Sequence, residues 1–191
     1  DGLNPVYNNP DGVKYIMSPP LRKHADQDAL WEAVYDGEID TIGTDHCSFS
    51  LAEKLKHADD FSLVPNGCAG IQHRGQLLYT YGVRAGRITI EQMVALLSTN
   101  VAALFGVEGR GAVREGNFSD LVIWDPHAQG IITDTNHSMD CDISIYAMFN
   151  VVGAARDVLV NGIPVVRQGV LAQEGIGQYL PCIKSARYRK A

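Results

Sequence analysis

Apolar positions follow two different rhythms along this chain. Up to about residue 106 they fall at helical spacing or in short β-prone runs between polar stretches. Beyond residue 111 they alternate with turn residues. Residues 1–12, rich in Asn, Pro, Gly and Asp, predict a loop. Residues 13–17 form a β-prone run that Pro19 and Pro20 stop, with Ser18 at its end. Residues 26–35 predict a helix: Asp26 can cap it, Asp28 suits the positive end of the helix dipole, and Leu30, Trp31 and Val34 share one face. Gly37 supplies the stop, and residues 39–43 read as the next strand. Strand, helix and strand in that order make a βαβ unit with a right-handed crossover.

Residues 48–65 are polar and poorly periodic. Such a stretch is either a functional loop or a surface insertion. Residues 71–81 predict a helix that ends at Gly82. The clearest helix start lies at Thr89, whose hydroxyl can accept from the Gln92 N–H while Gln92 reaches back. Ile88 and Met93 complete the pattern as a hydrophobic staple. Met93, Val94 and Leu97 are expected on the buried face. Asn100 is placed to cap a second short helix through Leu104, which Gly106 ends. Residues 121–124 read as a strand stopped by Asp125 and Pro126. Residues 157–160 and 164–167 flank Asn161-Gly162, a type I′ hairpin signal. The expected organisation is an α/β part over residues 1–106 and a mostly-β part over residues 107–191. There is no internal repeat and no low-complexity segment.

The 191 residues are 46% hydrophobic and 20% charged, an ordinary globular composition able to bury one sizeable core. A formal net charge of -6 without a long basic run argues against nucleic acid or an anionic membrane surface as a partner. No apolar run approaches the roughly 20 residues of a membrane span. The start, Asp1-Gly2-Leu3-Asn4-Pro5, has no initiating Met, basic flank or apolar core, and is read as the middle of a longer chain. The basic stretch 184–190 is read as a solvated or docked terminus. Cys47, Cys68, Cys141 and Cys182 show no CxxC pairing, which points to reduced thiols and a cytoplasmic setting.

Chemistry concentrates at Asp40-Thr41-Ile42-Gly43-Thr44-Asp45-His46-Cys47, where a β-prone run ends in an acid, an imidazole and a thiol. Parallel α/β enzymes place reactive groups at such strand ends. Asp45 is the candidate catalytic group, although an acid there also serves as a turn or cap residue. A carboxylate can ligate zinc and can carry a proton between water and a leaving nitrogen. His46 and Cys47 are potential metal ligands by chemistry, but successive residues on a strand face opposite ways, so at most one of them can share a site with Asp45. His46 reads rather as a residue that supports the site or a hydrogen-bonded core residue, and Cys47 as a small buried apolar one. Cys68, Cys141 and Cys182 read the same way. Ser18 and Asn66 are either turn residues or places where free backbone groups pair with a planar cyclic amide. His24, His57, His73, His127 and His137 lack metal-ligand spacing and read as surface or structural.

Ser18-Pro19-Pro20-Leu21-Arg22, Thr44-Asp45-His46-Cys47 and Asn66-Gly67 with Gly70-Ile71 and Arg74 stand in an order that resembles one family. So do Ser98-Thr99-Asn100, Leu104-Phe105-Gly106 and the run from Asp120 to Pro126. The chain resembles the cyclic amidohydrolases of the dihydropyrimidinase and hydantoinase group. That resemblance implies an α/β fold: the C-terminal part of a (β/α)₈ TIM barrel followed by a mostly-β sandwich segment. It implies hydrolysis of the ring amide of dihydropyrimidines or 5-substituted hydantoins, with two zinc ions as cofactors. Asp45 then corresponds to a metal ligand and proton carrier, and Ser18 and Asn66 to residues whose backbone groups hold the substrate ring. The family also implies a homo-oligomer, a tetramer, whose partner is a small cyclic amide or ureide. A full barrel takes about 250 residues, so this chain holds the last two strands and lacks most of the zinc ligands. The fragment alone is expected to be inactive. The alternatives are a non-enzymatic scaffold relative, an allantoinase-type ureide hydrolase, and a small domain that folds alone.

Overall fold

A computed structural model describes residues 4–181. Cys182 and the basic stretch 184–190 lie outside the described residues. The described residues begin with two single 3₁₀ turns, Pro5–Asn8 and Gly12–Tyr15. The second falls where residues 13–17 had predicted a strand. Helix α1, His24–Tyr35, follows. Asp26 acts one turn later than expected: it sits inside the helix and its carboxylate accepts from the Lys23 N–H at 3.0 Å. Gly37, at φ 77°, takes the chain out of the helix.

The run 39–43 is extended, but no sheet ladder forms there among the described residues. An isolated parallel strand has no partner for its backbone groups, so other bonds position this one. Leu96 O accepts from the Ile42 N–H at 3.3 Å. The Asn100 side chain donates to Asp40 O at 2.9 Å, and Arg74 donates to Ile42 O at 3.2 Å. The expected βαβ unit is therefore replaced by an extended run strapped to helices.

A short helix α2, Leu51–Leu55, interrupts the stretch expected to be loop. Its start is a capping box in which Ser50 accepts from the Glu53 N–H and Glu53 accepts from the Ser50 N–H. Helix α3, Arg74–Leu78, runs on through a π turn at Tyr79–Val83. Gly82, expected as its end, lies inside that turn. A Cβ on Gly82 would stand 3.0 Å from Ile88 and 3.1 Å from Trp31, so the missing side chain lets both close on the helix.

Helix α4, Ile90–Val94, a π turn at Ala95–Thr99, and helix α5, Asn100–Phe105, form one continuous rod. The Thr89–Gln92 capping box starts it as the sequence predicts. Asn100 is not a cap, because Thr99 is already helical and the Asn100 amide is used on Asp40. Gly106 ends the rod at φ 64°. Val94 is exposed, and Leu96 takes its expected place inside.

Among the described residues, four antiparallel strands follow in the order β1-β2-β3-β4. They are β1 Leu121–Ile131, β2 Asn150–Val160, β3 Ile163–Arg167 and β4 Val170–Leu171. Strand β1 does not stop at Asp125-Pro126. The ladder shifts register between Asp125 and Gln129, and Pro126, with no N–H to donate, falls in that bulge. Asn161 (φ 51°) and Gly162 (φ 79°) form the predicted I′ turn. A second turn of the same kind at Gln168 and Gly169 had no hairpin signal as clear as Asn-Gly. Each turn is held by a carboxylate. Asp120 accepts from the Asn161 N–H at 2.7 Å, and Asp157 from the Gln168 N–H at 2.9 Å. That backbone bond, then the Arg110 side chain, holds the Asp120 carboxyl below its usual range.

One core joins the helices to the sheet. Val34, Leu78, Tyr79, Ile88, Met93 and Leu96 are buried, with Trp124 of β1 and Val152 of β2 packed against them. Gly153 makes this approach possible. It takes φ 82°, and an added Cβ would lie 2.5 Å from the Tyr79 ring and 2.7 Å from Trp124.

Gly162→Val should destabilise the protein by about 1–3 kcal/mol, because only the backbone conformation opposes a side chain there. Gly153→Ala should cost more, because overpacking against two rings adds to the same strain. Urea denaturation of both variants checks the order; a Gly153→Ala midpoint equal to wild type would contradict the packing described. The carboxyl of Asp120 is lowered in the fold, so its stabilisation is present above the unfolded carboxylate pKa and is lost as pH falls through the folded one. Asp120→Asn should flatten that acid limb of a stability-against-pH curve.

Candidate functional site

Three backbone segments meet beside the end of the run 39–43. Cys47 N–H donates to Cys68 O at 3.2 Å, and Gly67 N–H donates to Ile16 O at 3.2 Å. Ser18 and Asn66 stand 48 residues apart in sequence, yet the Ser18 hydroxyl donates to Asn66 Oδ1 at 3.2 Å. Gly67 is buried against Cys47, and a Cβ on it would lie 2.7 Å from the Cys47 Cβ and carbonyl oxygen. The glycine of Asn66-Gly67 is thus required by close approach as well as by turn geometry.

Asp45 is exposed and takes a left-handed backbone at φ 46°. Asp and Asn enter that region more readily than other residues with a side chain. The next residue turns the other way. His46 Nδ1 accepts from the Gly70 N–H at 3.1 Å and the Ile71 N–H at 3.3 Å. Nδ1 therefore carries no proton and its lone pair is already used, which makes His46 a structural tie between two loops. Cys47, expected to be buried, is exposed, and the run it ends joins no sheet among the described residues. Cys68 is half-buried, and desolvation pushes its thiol up, opposed in part by the Lys54 charge. Cys47, Cys68 and Cys141 are free thiols.

Lys54 gave no sequence signal as a site residue. It sits in α2, inside the segment read as loop, and is 1% exposed. Its ammonium donates to Ile16 O at 2.8 Å and Pro65 O at 3.1 Å and lies 5.8 Å from the Phe49 ring centre. Burial lowers its pKa, while the nearby Cys68 and Cys47 thiols oppose that shift. A Ser-x-x-Glu box just ahead of it was the available clue to the helix that carries it inward.

His73 is 2% exposed and sits edge-on to His137 and Tyr146, with ring centres 6.1 and 6.2 Å away. Desolvation, then the neighbouring His137, lowers its pKa. Among the described residues, no group of three or more His, Cys, Asp or Glu could hold a metal ion. Asp45 can offer one oxygen ligand, which does not make a zinc site by itself. An open, mostly apolar cavity of about 500 Å³ lies behind the run, lined by residues such as Leu30, Trp31, Ile42 and Leu77. Neither Asp45, Ser18 nor Asn66 lines it.

Residues 8–163 match the amidohydrolase family. A D-hydantoinase of Geobacillus stearothermophilus is 38% identical over 183 residues, which are 94% of this chain and 38% of that protein. The crystal structure of a D-hydantoinase superposes with a TM-score of 0.90 at 37% identity, covering 95% of this chain and 40% of that one. A dihydropyrimidinase structure from Brevibacillus agri gives 0.84 at 37% identity, covering 87% and 37%. The chain spans about two fifths of the length of these proteins.

His46→Ala should leave the N–H groups of Gly70 and Ile71 without their acceptor. The expected loss is on the order of 1 kcal/mol, read as a lower urea midpoint at unchanged slope. An unchanged midpoint would show that water replaces the imidazole without cost.

Proposed function

This chain belongs to the amidohydrolase family, and from that premise we propose that it is the C-terminal portion of a hydrolase acting on the C–N bond of cyclic amides. The substrates are 5-substituted hydantoins or dihydropyrimidines. Residues 1–106 contribute the last part of the catalytic barrel, and residues 107–191 a β-sandwich segment and tail. The observation that carries the reading is the meeting of the Ser18 and Asn66 segments beside the run that presents Asp45. A cyclic ureide is flat and edged with alternating N–H and C=O groups. Backbone groups at two adjoining turns can pair with such an edge without charge.

In this reading Asp45 takes a proton from the attacking water and returns it to the ring nitrogen as the C–N bond breaks. An exposed carboxylate on a turn, close to the ring-holding segments, suits that exchange. The zinc ions expected from the family need ligands beyond Asp45, and those come from outside this chain. The complete enzyme works as a homo-oligomer in the cytoplasm. The Asp45 carboxylate favours an enzyme over a scaffold relative, since a scaffold has no use for a charge at this position.

Asp45→Asn keeps the left-handed backbone and removes the charge. In the complete enzyme it should lower hydantoin turnover by at least about a hundredfold with an unchanged melting temperature. Turnover close to wild type would remove Asp45 from the mechanism. The isolated 191-residue chain should bind no stoichiometric zinc and open no ring. It should also self-associate, because the apolar cavity and exposed side chains such as Leu30 and Ile71 lie open. Zinc titration and sedimentation of the purified chain check this. Tight zinc binding with hydantoin turnover would overturn the first expectation, and a monodisperse monomer the second.

A further inference from the structure

A lysine buried to 1% exposure is expensive to keep, since its ammonium loses water that few protein groups replace. A leucine or methionine would pack α2 against the same surface at lower cost. What Lys54 does that an apolar residue cannot is join two backbone segments that are otherwise far apart in sequence. One carbonyl it holds belongs to Ile16, two residues before Ser18. The other belongs to Pro65, the residue before Asn66. Ile16 O also accepts the Gly67 N–H, so the same oxygen ties all three segments together. The lysine is itself held by Ser50-capped α2, which fixes its direction of approach.

We propose that Lys54 is a positioning residue, whose ammonium fixes the spacing of the Ser18 and Asn66 segments so that their backbone groups can hold a ring amide. This rests on the substrate reading given above. Lys54 touches no reacting atom. Its effect passes through the two carbonyls, so it acts on substrate binding rather than on the bond-breaking step. Binding lost equally from the ground state and the transition state raises KM and leaves kcat in place.

The test combines kinetics with hydrogen exchange in the complete enzyme carrying Lys54→Met, which keeps an unbranched apolar stem and removes the donor. KM for hydantoin and for dihydrouracil should rise about tenfold while kcat changes by less than about twofold. Exchange of the Gly67 amide, the reporter of the bond to Ile16, should quicken about tenfold. Unchanged Gly67 exchange overturns the proposal whatever the kinetics, because the lysine then fixes nothing there. Faster exchange with unchanged KM also overturns it, because ring binding then does not depend on the spacing Lys54 fixes; absence of hydantoin and dihydrouracil turnover in the wild-type enzyme would instead overturn the substrate reading. A fall in kcat alone would place Lys54 in the chemical step instead. Should Lys54→Met yield no folded enzyme, Lys54→Leu, which also removes the donor, is measured in the same way. Failure of both to fold makes Lys54 a determinant of folding only, and the proposal is wrong.

Discussion

The helices and the sheet of this chain depend on one close approach. At Gly153 the backbone of β2 comes within reach of the Tyr79 and Trp124 rings, whose centres lie 5.4 Å apart. Any side chain at Gly153 would occupy the space those rings share. The positive φ there and the bulge opposite it in β1 belong to the same local distortion. Gln76 and Thr80 then reinforce the seam from α3 and its π turn, through bonds to Gly153 O and Val152 O. Helix α3 thereby gains a fixed seat on the sheet. The loop ahead of it, which carries Gly70 and Ile71, is tied to His46, so the site inherits its placement from this seam.

Local features were legible wherever the chemistry that produces them is itself local. The Thr89–Gln92 box, the Gly106 stop and the Asn161-Gly162 turn each need only residues a few positions apart, and each formed as read. The Ser50–Glu53 box was equally local, but it stood in a stretch judged by its polarity rather than by its spacing. Features that depend on distant partners were less legible. Residues 13–17 and 39–43 carry strand-like side chains, yet a strand exists only where a neighbour accepts its backbone bonds. Asn100 looked like a cap because capping is what an isolated Asn does. Its real partner, Asp40 O, lies 60 residues away and could not be inferred from spacing.

The site shows the same division. The acid, the hydroxyl and the amide at 45, 18 and 66 were visible as motifs. The Ser18–Asn66 contact is what the fold adds to them. Lys54 was invisible for the opposite reason. A lysine in a polar stretch is ordinarily a solvated one, and only the path of α2 carries this one inside. His46 was readable as a hydrogen-bonded residue, and its two N–H donors agree with that reading. The strand alternation expected to separate it from Asp45 does not apply, because the run joins no sheet among the described residues and Asp45 is left-handed.

The left-handed backbone at Asp45 limits what can replace it. Alanine and the β-branched residues meet a conformational penalty at φ 46°, while glycine and asparagine do not. Asparagine also matches aspartate in size and differs by one group, an amide in place of a carboxylate oxygen. Under the proton-carrying role proposed for Asp45, that one-group change separates an active turn from an inactive one with the same backbone shape.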